Sequence, residues 1–195
     1  MPLEIDLPPG FAGLPVGDDD QLNRGHARMV AENVASGTSV EQFGSYLMAL
    51  VPAMQANGVR VFGKFAVGPR KGDVATLTLG VARWPETAPG SRDALVAAMA
   101  EEYRGRHKRA VVQPVRLPIG PAVVAISGGE FHLPERDVRT QIKAEYQIPL
   151  PDGRSVVILS VIAESEDAWP AVAEATAKVA WSLRSGKEAD WQGRP

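Results

Sequence analysis

The stretch from Asp137 to Glu164, DVRTQIKAEYQIPLPDGRSVVILSVIAE, limits the fold more than any other part of the chain. Val138, Thr140, Ile142, Ala144, Tyr146 and Ile148 fall on one face; Arg139, Gln141, Lys143, Glu145 and Gln147 fall on the other. A period of two marks a strand with one face buried and one face wet. Val156 to Ala163 is almost continuously apolar, as expected of a strand covered on both faces. Between them, Leu150-Pro151-Asp152-Gly153 supplies a proline that pre-sets φ and a glycine that permits positive φ. The two arms therefore read as a hairpin.

The remaining elements follow from local signals. LEIDL, residues 3–7, reads as a short edge strand stopped by Pro8-Pro9-Gly10. A modest amphipathic helix is expected over 21–36, with Leu22, Met29, Val30 and Val34 as its apolar positions. Thr38 and Glu41 have capping-box spacing, so a second helix should start there, with Val40, Phe43, Leu47, Leu50, Val51 and Met54 on one face. Pro52 should kink or stop it, and Asn57-Gly58 should cap it. Strands near 59–67 and 74–84 form a second hairpin. Ser91 is a natural N-cap for a helix over 92–104 carrying Leu95, Met99 and Tyr103. Strands 111–117 and 122–126 precede the central hairpin. A closing helix begins between Ser165 and Asp167, buries Trp169, Val172, Thr176, Val179 and Leu183, and is capped by Gly186.

Long antiparallel runs interleaved with amphipathic helices predict an α+β fold, an antiparallel sheet with helices packed on its faces and further helices near the N-terminus. At 195 residues, with no linker or repeat, residues 1–186 read as a single domain and 187–195 as a polar tail. The formal net charge of -2 argues against a general nucleic-acid binder. There is no cysteine, so thiolate chemistry and disulfides are excluded. The N-terminus lacks a secretory pattern and no window approaches the apolar length of a membrane span, so a cytoplasmic protein is expected.

Catalytic signals are sparse. Ser127-Gly128-Gly129 faintly resembles a nucleophile elbow, but a strand-end turn explains it better. Glu130, His132 and Glu135 could approach a metal, yet His26 and His107 cannot be placed with them. Asp18-Asp19-Asp20 fits helix N-terminal acids better than a cation site. No cofactor is expected. The basic run Arg104-Gly105-Arg106-His107-Lys108-Arg109 could meet a phosphate or an acidic partner, although basic residues also suit a helix C-terminus. Trp84 and Trp181 are the aromatic contact candidates.

LEIDLPPGF at the start, the long hairpin, and AVAEATAKVAWSLR near the end together resemble PsbP-like domains. VQPVRLPIGPAVVAI is similar to uncharacterised actinobacterial proteins of that kind. The superfamily includes photosystem extrinsic subunits, a Ran-binding nuclear import factor and bacterial effector adaptors. The resemblance implies a layered α/β/α sandwich and a non-catalytic role that binds another protein, and it carries over no catalytic residue. The helical segment 21–57 departs from that pattern. The expected function is thus a protein-binding or adaptor module. A binding site could lie between the N-terminal helices and the sheet, or on the wet face of Arg139, Lys143 and Glu145. The alternatives are a small-molecule or lipid-binding domain, with a pocket beneath Pro52, and an unrecognised enzyme. Self-pairing through an exposed edge such as the first strand is a further possibility.

Overall fold

The two arms around Pro151 pair as expected and lie inside a larger sheet. The structure, a computed structural model, describes residues 3–34, 39–70, 73–84, 90–131 and 139–185. In chain order its elements are β1 (Leu3–Glu4), β2 (Ala12–Pro15), α1 (Asp20–Val34), α2 (Val40–Ala56), β3 (Val59–Ala66), β4 (Val74–Arg83) and α3 (Arg92–Arg106). There follow β5 (Val111–Leu117), β6 (Gly120–Phe131), β7 (Arg139–Pro149), β8 (Ser155–Ala163), α4 (Trp169–Ser182) and β9 (Arg184–Ser185). Seven strands make one antiparallel sheet in the order β2-β3-β4-β8-β7-β6-β5. The fold is α+β.

The β7–β8 turn is held mainly by its own polar groups. Leu150 N–H donates to the Ser155 carbonyl at 2.8 Å, and Gly153 takes φ 66°. Asp152 Oδ1 accepts from the N–H groups of Arg154 and Ser155, both at 2.9 Å. These bonds, the Arg154 one first, hold the Asp152 carboxyl below the usual aspartate range.

Alternation then sorts the sheet into two faces. Val157, Leu159, Val161 and Ala163 of β8, with Leu77 and Leu79 of β4, Phe65 of β3 and Ile148 of β7, form the larger core. Helix α4 closes it with Val172, Val179, Ala180 and the following Leu183, the stripe that the sequence predicts. Thr176 sits in that stripe with its hydroxyl satisfied, donating to the Val172 carbonyl at 2.7 Å. On the opposite face, α3 packs Leu95, Val96, Met99, Ala100 and Tyr103 on Val112, Val123, Ala125 and Val156. A third cluster joins Leu14 and Val16 to Ala27 of α1 and to Leu47 and Val51 of α2. Leu14 pairs with Phe62, and Phe62 with Thr78, which places this cluster on the α3 side of the sheet.

Several expectations need correcting. Helix α1 buries Asn23, Ala27 and Ala31, whereas Leu22 and Met29 face solvent. Small residues win because α2 comes close there: a side chain on Gly44 would meet the Ala27 carbonyl and Ala31 Cβ at 3.9 Å. The α2 cap is Ser39, which accepts from Gln42 N–H at 3.1 Å, so the capping pair sits one residue beyond the Thr38–Glu41 register. Pro52 does not stop α2, which runs on to Ala56 with the proline on its exposed side. Strand β1 covers only Leu3–Glu4 of the expected 3–7 and lies outside the large sheet, in a two-stranded pair with β9, Leu3 opposite Ser185. Strand β2, hidden in AGLP, is the real edge. It pairs Gly13 with Gly63, and the Phe11 ring covers both: a Cβ on Gly63 would lie 2.5 Å from the ring. Helix α4 ends at Ser182, before Gly186, which lies outside the described residues along with the whole of 187–195.

Candidate functional site

Two surfaces, one over each face of the sheet, gather the side chains that could act on another molecule. The first lies where α3 crosses β6 and β7. Strand β7 presents Lys143, Glu145 and Gln147 on one side, and in the ladder Lys143 stands opposite Ser127 and Glu145 opposite Ala125. The sequence pattern predicts this side to be wet. Instead Glu145 is only 9% exposed, because α3 must bury its own apolar stripe on β5 and β6 and overhangs β7. The buried carboxylate is satisfied by the Lys143 ammonium and by Gln147 Nε2, which donates at 2.7 Å. Tyr103, 4% exposed, points its hydroxyl at Ser127. Burial, and then the Glu145 charge, push the Tyr103 phenol above its usual range, so it stays neutral, while Lys143 and Arg106 act in the opposite sense. The neutral phenol, the Ser127 hydroxyl and an ammonium engaged by a carboxylate make a hydrogen-bonding cluster. The Arg139 side chain lies outside the described residues.

The basic run divides. Arg104 and Arg106 complete the last turn of α3: Arg104 bonds Glu101 at 2.6 Å and the Val112 carbonyl at 3.1 Å, and Arg106 bonds Glu102 at 3.1 Å. His107 caps the helix, its ring 4.6 Å from that of Tyr103. The turn closes with Ala110 N–H on the His107 carbonyl at 2.9 Å, and Lys108 and Arg109 stand exposed on it.

The second surface is on α4. Trp181 is 59% exposed and lies off the buried stripe, where the helical spacing puts it. Beside it, residues 6–9 and α4 enclose a cleft of about 470 Å³ floored by Phe65 and Val179, with Leu7, Pro8, Ala171 and Ala175 along its walls. Lys178 and Ser182, three residues before and one after Trp181, also line it. Asp6 ties the segment to α4 and β9: its N–H donates to Ser182 Oγ at 2.9 Å and its carboxylate pairs with Arg184 at 2.9 Å. Leu7, 39% exposed, stands between this cleft and a second apolar one lined by Phe11, Gly13, Met29 and Val61. The sequence singles out Trp181 but gives no sign of the cleft, because its walls come from residues about 170 apart in the chain.

The other sequence candidates do not converge. Trp84 is half-buried against the α3 cluster. Ser127, Gly128 and Gly129 lie within β6 opposite Lys143, Ile142 and Gln141, so they make neither an elbow nor a strand-end turn. His132 and Glu135, with the Glu130 side chain, fall outside the described residues. Asp19 caps α1, accepting from Gln21 and Leu22 N–H at 2.8 and 3.1 Å, and Asp18 faces Arg60 at 3.8 Å. Among the described residues no three His, Asp or Glu side chains gather in a metal-binding group. The cleft between α1 and α2 is lined by Arg24, Arg28, Glu32, Glu41 and Met48 and does not reach Pro52. Among the described residues no helix is long and apolar enough to cross a membrane. The sequence matches no family model, and no curated protein matches it.

Proposed function

We propose that this domain is a non-catalytic protein-binding or adaptor module of the cytoplasm, and that its main contact surface is the outer side of α4. The observation that carries the reading is Trp181. A tryptophan left 59% exposed on a well-formed helix forgoes the burial that the Val172–Val179 stripe of the same helix obtains. Tryptophan is also the residue type most enriched where partners bind, above all beside a pocket that another side chain can fill. The neighbouring cleft, floored by core residues and walled by Leu7 and Pro8, offers such a pocket. The PsbP-like resemblance supports the same reading by analogy.

The test is capture of binding proteins by the tagged domain and by its Trp181→Ala variant, followed by titration of the captured protein. Trp181 is exposed, so the variant should fold with stability within about 0.5 kcal/mol of the parent. Its affinity for the captured partner should fall at least tenfold, the scale of about 1.4 kcal/mol expected of a hot-spot aromatic. Equal affinity of the two proteins for that partner would remove α4 from the contact surface.

A further inference from the structure

We propose that the corner where α3 turns into β5 receives an acidic segment of a partner protein, a claim that rests on the protein-binding reading but uses a different surface. Three parts of the chain bring cations here: Arg106 at the end of α3, Lys108 and Arg109 on the turn, and Lys143 from β7 beneath Tyr103. The facing carboxylates are already engaged, Glu102 by Arg106 and Glu145 by Lys143. Glu145 is buried as well, so a partner meets the ammonium of that pair more than its carboxylate. Lys108 and Arg109 have no carboxylate partner among the described residues. In a chain of net charge -2 this corner therefore carries a local surplus of positive charge.

The geometry favours spaced carboxylates over a single phosphate. A phosphate site is usually a nest of backbone N–H groups or a helix N-terminus. This corner is a helix C-terminus, where the free backbone groups are carbonyls, and the His107 N–H is spent on Tyr103. The cations lie along a path from the turn to the sheet, which suits a run of Asp or Glu side chains. Nucleic acid is the poorer fit, since its affinity grows with the number of phosphates neutralised and only a few cations are available. The turn is braced by the tilted ring contact of His107 with Tyr103 and by the Arg104 fork between Glu101 and Val112.

The experiment uses the whole chain and a fluorescent octaglutamate peptide, read by anisotropy, with octaglutamine, a single-stranded oligodeoxynucleotide and phosphatidylserine vesicles as the other arms. Octaglutamate should bind at low salt and be released as the ionic strength rises. Lys108→Glu with Arg109→Glu should weaken it about tenfold and the milder Lys108→Gln with Arg109→Gln by less, whereas Arg28→Glu and Trp181→Ala should leave it unchanged. Indifference to both double substitutions, no advantage over octaglutamine, or tighter binding of the oligonucleotide or vesicles would each overturn the proposal. Trp181-dependent capture without octaglutamate binding would refute this inference and leave the protein-binding reading standing. Octaglutamate binding without such capture would leave this inference standing and remove α4 as the contact surface.

Discussion

A single carboxylate, Asp152, shows how far one residue can be read before the fold is seen. Its place in Leu150-Pro151-Asp152-Gly153 already identifies a turn residue, because aspartate can accept from backbone N–H groups two and three positions on. The structure adds the two donors and the lowered pKa. Asp152→Ala should destabilise the domain by roughly 1 kcal/mol at neutral pH, the scale of a lost side-chain cap, and somewhat less because solvent screens this exposed site. A carboxyl whose folded pKa is depressed contributes stability above its ordinary pKa and loses it as pH falls through the folded value. The difference between parent and variant in urea melts should therefore shrink on acidification. A difference independent of pH would assign it to the backbone of the turn alone. By contrast, Gly13 and Gly63 gave no sequence signal, since their need for glycine arises only once the two strands pair closely and Phe11 lies over them.

Among the elements, those with a strong period were legible and those set by tertiary contact were not. The stripe of α4 and the alternation of β7 could be read directly, because each buries one face against the same core. The face of α1 could not be read, because proximity to α2 selected Asn23, Ala27 and Ala31 over larger apolar residues. Asn23 is buried only because its amide bonds both the N–H and the carbonyl of Gly17, at 3.0 and 2.8 Å. Strand β2 was missed because Gly13 and Pro15 argue locally against a strand, yet an edge is where a proline is tolerated. The other edge is blunted in the same way. Pro114 has no N–H to offer, and the Val112 carbonyl of the same strand is taken by Arg104. Pro114→Val should expose a fuller edge and promote self-association, visible as a concentration-dependent mass by light scattering. A variant that stays monomeric at every concentration would show that Pro114 does not guard that edge.

Across the whole molecule, the sheet separates the two candidate surfaces. Helix α4 and the Leu7 cleft occupy one face; α3, the basic corner and the Lys143–Glu145 pair occupy the other. Only single residues of this arrangement could be read from the sequence. Trp181 and the run 104–109 stood out, but their placement on opposite faces depends on the strand order β2-β3-β4-β8-β7-β6-β5, which local patterns do not encode. The protein-binding expectation drawn from the PsbP-like resemblance names no surface. Contact surfaces on both faces, as proposed, would suit an adaptor that holds two partners at once, and the proposed α4 surface is the one to test first. The most direct measurement is site-specific photo-crosslinking in host lysate, with the crosslinker at Trp181 and, for comparison, at Leu22, which is 61% exposed on α1. The account predicts one dominant adduct from position 181 and none from position 22. No adduct from 181, or the same adducts from both positions, would contradict it.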